Sequence, residues 1–155
     1  MIVLQHQRPV YGLARALLRD DHEAEDATQE AFERLWKQGA RIEKPKEWLM
    51  RVVRNACLDR LRRAGRTVSD ADGHTPEPRD ERDPAWHFDQ GELGRRLGGA
   101  IDGLSEPQRS LVILFDVQGM SGAECARILQ LSGEQVKVYL HRARRRLRTK
   151  LEHGL

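Results

Sequence analysis

The sequence predicts an all-α protein built as two small helical domains joined by a flexible acidic linker, the second domain containing a helix-turn-helix. Three observations carry that expectation. Apolar residues in every strongly patterned stretch recur at helical spacing, with no sustained period-two alternation. Glycine, proline and acidic residues crowd into one interior stretch. Three serine-led helix-start signals fall within 31 residues of the C-terminal half.

In chain order, a first helix is expected over 6–19, with Val10, Leu13, Ala14, Leu17 and Leu18 on one face. Asp20 reads as the N-cap of the second helix, and Glu23 three residues on completes a capping-box pattern. That helix runs to Lys37, turns Ala24, Ala27, Ala31, Phe32, Leu35 and Trp36 inward, and stops at Gly39. Pro45 suits the first turn of a third helix that reaches Arg63 and buries Trp48, Leu49, Val52, Val53, Ala56 and Cys57. Beyond it, Gly65, Gly73, Pro76, Pro78 and Pro84 lie among Asp70, Asp72, Glu77, Asp80, Glu81 and Asp83. Such a stretch buries too little apolar surface to offset its ordering entropy, so 66–86 reads as a linker.

A fourth helix follows over 87–103, with Leu93, Leu97, Ala100, Ile101 and Leu104 inward. The three capping boxes then read Ser105-Glu106-Pro107-Gln108, Ser121-Gly122-Ala123-Glu124 and Ser132-Gly133-Glu134-Gln135. They open helices expected at 106–118, 122–130 and 133–151. The boundaries are therefore 1–65, 66–86 and 87–155, and each lobe, at about 65 residues, is near the lower limit for independent folding.

Charge follows the same division. The net +3 conceals +3 over 1–65, −5 over 66–92 and +5 over 93–155, so two basic lobes flank an acidic middle and point to a polyanionic partner. Cys57 and Cys125 each lie on an apolar stripe, with neither metal-ligand spacing nor a disulfide framework. The six histidines form no ligand cluster, so no metal and no cofactor are expected. Apolar runs fall short of membrane-spanning length and the first residues lack a secretory core; the chain reads as cytoplasmic, with no membrane insertion.

A short helix, a tight turn over Gln130-Leu131-Ser132 and a longer basic helix make a helix-turn-helix. Val136, Leu140, Ala143, Leu147 and Leu151 fix the last helix along one stripe. Between Ser132 and Leu151 stand seven Lys/Arg and a single acid, Glu134. Polar residues early in such a helix meet base edges, whereas later arginines meet phosphates. Ser132, Gln135, Lys137, Val138 and His141 are the candidates for reading duplex DNA, with Arg142, Arg145 and Arg109 on its backbone. Such turns usually hold glycine where Gln130 stands, since the backbone there takes positive φ, at a cost of about 1 kcal/mol to other residues.

In the first lobe, Asp26, Gln29, Glu30 and Glu33 form a narrow acidic-amide face opposite the apolar stripe, shaped for a basic helical partner. Arg51, Arg54, Asn55, Leu58 and Arg62 form a second outward stripe on the third helix.

These residues also carry a resemblance. His22-Glu23-Ala24-Glu25-Asp26-Ala27-Thr28-Gln29-Glu30-Ala31-Phe32, followed by Leu35-Trp36, resembles the A-E-D-x-x-Q-E-x-F segment of extracytoplasmic-function (group IV) sigma factors of the sigma-70 family. Pro45-Lys46-Glu47-Trp48-Leu49 through Arg54-Asn55-Ala56-Cys57-Leu58-Asp59-Arg60-Leu61-Arg62-Arg63 is similar to that family's P-x-x-W-L…R-N-x-x-x-D-x-x-R-R. In the second lobe the likeness runs through Leu104-Ser105-Glu106-Pro107-Gln108-Arg109, Gly119-Met120-Ser121-Gly122-Ala123-Glu124-Cys125-Ala126, Val136-Lys137 and Arg142-Ala143-Arg144. It covers nearly the whole chain outside the linker, in family order.

The resemblance implies a sigma factor, not an enzyme, that directs promoter recognition and transcription initiation. Its partners would be core RNA polymerase (β′ clamp helices and β flap), promoter DNA and an anti-sigma factor. Asp26, Gln29, Glu30 and Glu33 would dock on the clamp helices. Arg51, Arg54, Asn55, Arg62 and Arg63 would grip the melted −10 element, with Asn55 holding a flipped base. The helix-turn-helix would read the −35 element, and the acidic linker would thread the polymerase's basic cleft. Cys125, Gln130 and Met50 depart from the family's usual aliphatic, glycine and aromatic residues, and the closing Leu151-Glu152-His153-Gly154-Leu155 is similar to the tail of iron-transport sigma factors.

Two other classes compete. A stand-alone helix-turn-helix regulator acting without polymerase docking would need an effector pocket or dimer interface in 1–65, for which the sequence carries no sign. A nucleic-acid enzyme would need a metal-ligand cluster or a glycine-rich phosphate loop, and neither is written in the chain.

Overall fold

The computed structural model describes residues 2–65 and 91–152. The linker expected over 66–86, the first residues of the expected fourth helix and the closing His153-Gly154-Leu155 lie outside the described residues. Within them the chain is helical and forms no strand. The elements are α1 (Ile2–Leu18), α2 (Asp21–Gln38), a single 3₁₀ turn (Gly39–Arg41), α3 (Pro45–Arg63), α4 (Glu92–Asp102), α5 (Gln108–Val112) continuing into a π-helical turn (Ile113–Val117), α6 (Gly122–Leu129) and α7 (Gly133–Glu152).

Local chemistry sets most boundaries. Arg19 takes a left-handed φ of 56° and ends α1, and Asp20 at once caps α2 by accepting the Glu23 N–H at 2.8 Å. Pro45 stands in the first turn of α3, where its missing N–H removes no helical bond. At Ser121 the capping box is complete: its Oγ accepts the Glu124 N–H and the Glu124 carboxylate accepts the Ser121 N–H. Ser132 and Gln135 form the same reciprocal pair at the start of α7, at 3.0 and 2.8 Å.

The third expected box does not form. Helix α5 begins at Gln108, and the buried Ser105 Oγ has no hydrogen-bond partner. Glu106 takes the capping role instead, its Oε1 accepting from both the N–H and the hydroxyl of Ser110.

Helices α1, α2 and α3 pack mutually, and α7 packs on α4, α5 and α6. The expected α1 face (Val10, Leu13, Ala14, Leu17, Leu18) is buried, as are Val136, Leu140, Ala143 and Leu147 on α7. Two inward assignments are corrected. Trp36 is 64% exposed, because neighbouring Leu35 takes the inward position on α2. On α3, Trp48, Val52 and Ala56 are half-buried, while Met50, Leu58 and Leu61 are buried beside Leu49, Val53 and Cys57. Leu58 therefore leaves the outward stripe. The reason is that α3 is packed on two sides, by α1 and α2 and also by α6.

The two halves are in contact through α3 with α6 and through α1 with the π-helical turn, and their buried apolar side chains form one contiguous cluster. Gly12 permits part of this approach: a Cβ there would lie 3.3 Å from the Gln118 side-chain amide, which donates to the Pro9 carbonyl at 2.9 Å. Cys57 and Cys125 are buried free thiols, and burial pushes them up to about 12 and about 11 respectively.

The α6–α7 turn takes the shape the sequence requires, with Gln130 at φ 57° and ψ 46° and its N–H donating to the Ala126 carbonyl. A left-handed backbone at a residue with a Cβ is strained. Gln130→Gly is expected to stabilise the chain by about 0.5–1 kcal/mol, read as a higher urea midpoint at unchanged m-value.

Candidate functional site

Three surfaces carry the candidate residues. The first is the outer face of α7, where Ser132, Gln135, Lys137, Val138, His141, Arg142 and Arg145 are all exposed, Val138 at 47%. The capping box holds Gln135 with its carbonyl oxygen turned back to Ser132, which leaves the amide NH₂ as its outward group. Midway along α7, Arg144 is anchored: its guanidinium donates to Asp116 at 2.7 Å and lies 5.5 Å from the Phe115 ring centroid. This pins the helix against the π-helical turn. Polar side chains thus stand early on the exposed face and arginines late.

Arg109, expected among the exposed backbone contacts, is 4% exposed. It is the centre of a buried network, with Nε donating to Glu106 at 2.9 Å and its second arm 3.5 Å from Asp102. Glu106 is 2% exposed and faces two arginines, so Arg109 stays to balance it and leaves the outward set. Burial alone would raise the Glu106 carboxyl, but the charges of Arg109 and Arg54 and the bonds from Ser110 and Arg109 outweigh it and hold the group below its usual value.

The second surface is α3. Asn55, Arg62 and Arg63 are exposed, and Arg63 pairs with Asp59 one turn back at 3.0 Å. Arg51 and Arg54 face the other half instead. Arg51 donates to the Arg127 carbonyl at 2.6 Å, and Arg54 donates to Ser110 Oγ at 2.9 Å and to Glu106 at 3.1 Å. Beside them Arg127 of α6 grips Glu47 of α3 with paired bonds of 2.7–3.0 Å, which hold the Glu47 carboxyl below its ordinary value.

The third surface is α2, where Asp26, Gln29 and Glu33 are exposed. Glu30 is half-buried and engaged by Arg34 at 3.2 Å and Arg60 at 3.5 Å. Along this face runs an open groove of about 270 Å³ lined by Gln7, Thr28, Gln29, Phe32, Glu33 and Trp36. Among the described residues no group of three His, Cys, Asp or Glu could hold a metal, and no helix is long and apolar enough to cross a membrane.

Comparison with known proteins shows the family. Residues 2–67 match the family model for sigma-70 region 2 and residues 94–147 that for sigma-70 region 4. Over 147 residues the chain is 35% identical to the ECF RNA polymerase sigma factor SigM of Mycobacterium tuberculosis, covering 92% of this chain and 71% of SigM. The chain belongs to the extracytoplasmic-function sigma factors. This sigma factor is also 33% identical over 151 residues to SigE of Mycolicibacterium smegmatis, covering 95% of its own length and 59% of SigE's. Its fold matches the sigma factor RpoE, co-crystallised with the anti-sigma factor NepR from Bartonella quintana, at TM-score 0.74 and 27% identity over 99% of this chain and 96% of that one. The region 2 match takes in α1–α3, and the region 4 match runs from within α4 to within α7.

Sequence reasoning missed Glu47, Arg127, Arg19, Asp102 and Glu106, whose cross-chain pairs span 52 to 83 residues. No local pattern announces such partners. Glu47 and Glu106 both titrate below the ordinary unfolded value of 4.5, so their stabilisation is complete above that pH and is lost as pH falls through the depressed folded values. Urea unfolding of the sigma factor should show stability declining on acidification below about pH 4.5, with a shallower decline in Glu106→Gln.

Proposed function

We propose that the chain acts as a dissociable initiation subunit, not an enzyme, that carries core RNA polymerase to promoters in the cytoplasm. The observation that carries this reading is one chain holding both an exposed acidic-amide face on α2 and an exposed polar-to-basic face on a helix-turn-helix. A duplex-binding regulator needs the second and has no use for the first.

In this reading 1–65 docks polymerase and holds the −10 element, 66–86 links, and 87–155 reads the −35 element. Asp26, Gln29 and Glu33 meet the β′ clamp helices, with Glu30 set among Arg34 and Arg60, and Trp36 and its groove supply apolar area at the centre of the contact. Asn55 is exposed and suited to hold an unstacked base, with Arg62 and Arg63 beside it on phosphate and Arg51 and Arg54 joining once released from the second lobe. Ser132, Gln135, Lys137, Val138 and His141 face base edges in the −35 groove, and Arg142 and Arg145 its backbone. The second lobe would also meet the β flap. An anti-sigma factor is the expected inhibitor, by analogy with the RpoE complex.

Asp26→Lys/Glu33→Lys should lower affinity for core polymerase tenfold or more, about 1.4 kcal/mol, with an unchanged circular dichroism spectrum. Transcription at normal levels by that double variant would refute the docking assignment. Arg145→Ala should weaken promoter binding across sequences and reduce its salt slope by about 1, whereas Lys137→Ala or His141→Ala should relax sequence preference in the −35 element, in titrations of holoenzyme on duplex DNA.

A further inference from the structure

The capping box that starts α7 also decides what Gln135 can read. Its side-chain oxygen accepts the Ser132 N–H at 2.8 Å, a bond the amide nitrogen could not take, so the NH₂ end is the one turned to a ligand. In return the Gln135 N–H donates to Ser132 Oγ at 3.0 Å, which fixes the side chain close to the helix start. A glutamine with both amide ends facing outward recognises adenine, accepting from N6 while donating to N7. Gln135, with its oxygen turned back to Ser132, presents donors alone. Donors match the edge of guanine, where N7 and O6 both accept, and meet the N4 amino group of cytosine donor to donor.

Val138 stands at i+3 from Gln135 on the same exposed face, about 5–6 Å away between Cβ atoms. It is 47% exposed, an aliphatic side chain among Gln135, Lys137, His141 and Arg142. Phosphates offer such a side chain nothing. In the major groove the apolar group that can cover it is the C5-methyl of thymine. Successive base pairs lie about 3.4 Å apart, so Gln135 and Val138 address pairs one or two steps from each other.

We propose that Gln135 and Val138 form a two-part base reader, in which Gln135 selects guanine and Val138 selects a thymine, on either strand, one or two base pairs away. The proposal rests on the assignment of this α7 face to the −35 duplex. Its two parts are chemically separable, because an acceptor atom and a methyl group can be removed from DNA one at a time.

The test titrates holoenzyme, assembled from core polymerase and the full chain, on the −35 duplex of a promoter that it transcribes. Each guanine is replaced in turn by 7-deazaguanine, which lacks the N7 acceptor, and each thymine by uracil, which lacks the methyl group. Wild type should lose roughly fivefold in affinity at one guanine. It should lose about threefold at a thymine one or two pairs away. Val138→Ala should lose the thymine response and keep the guanine response, and Val138→Thr, which retains a methyl group, should keep both. Gln135→Glu preserves an oxygen to cap Ser132 but carries no donor. It should abolish the guanine response and turn the preference at that pair towards cytosine, whose N4 donates to a carboxylate. Circular dichroism checks that each variant keeps its helices. The two-part reader is overturned if the variants keep the wild-type responses, or if no guanine or thymine answers in wild type. Lys137→Ala then separates the causes: a change in its −35 preference leaves the assignment of α7 standing, and no change overturns that assignment as well.

Discussion

Glu106 is a carboxylate removed from water at the start of α5, and its compensation organises the centre of the molecule. An ion so placed costs several kcal/mol unless its oxygens are fully engaged. Arg109 supplies one partner from the following turn and Ser110 supplies two donors. The remaining partner, Arg54, comes from α3 in the other half of the chain. The charge balance of the second lobe therefore depends on the position of the first. Asp102 extends the same dependence, since it faces Arg109 on one side and Arg19 of the first half on the other.

Helix α7 is held by a further set of constraints. Its start is fixed by the left-handed Gln130 and the Ser132–Gln135 box, and its middle by Arg144 on Asp116 and Phe115. The π-helical turn that carries Phe115 and Asp116 is thus part of the positioning of α7. Two anchors and one apolar stripe leave the opposite face exposed, with an angle set by local bonds.

What the sequence reveals about this molecule divides by distance along the chain. The caps at Asp20, Ser121 and Ser132, the left-handed turn at Gln130 and the α7 stripe are all relations among residues three or four apart, and each forms as its pattern requires. The Ser105 pattern has the same letters but fails, because Glu106 beside it takes the helix start for its own carboxylate. The phase of α3 was unreadable for a related reason. A periodic stripe describes burial against one neighbour, and α3 has neighbours on two sides. Arg51, Arg54 and Arg109 have the composition of contact residues, yet their burial follows from partners as far as 76 residues away or from a fold not written locally. The exposed members of the candidate surfaces, Asp26, Gln29, Asn55, Lys137 and His141, were legible because they lie on helix faces that stay exposed among the described residues.

The sulfur chemistry of the chain has a physiological consequence. Cys57 and Cys125 are shut away in apolar surroundings that keep them protonated far above neutral pH. A thiol reacts with peroxide or exchanges disulfides through its thiolate, so both sulfurs stay silent while the fold is intact. Oxidant stress would pass through the cell without leaving a covalent mark on either cysteine. If this subunit answers such a stress, the sensing chemistry does not run through either of its two thiols.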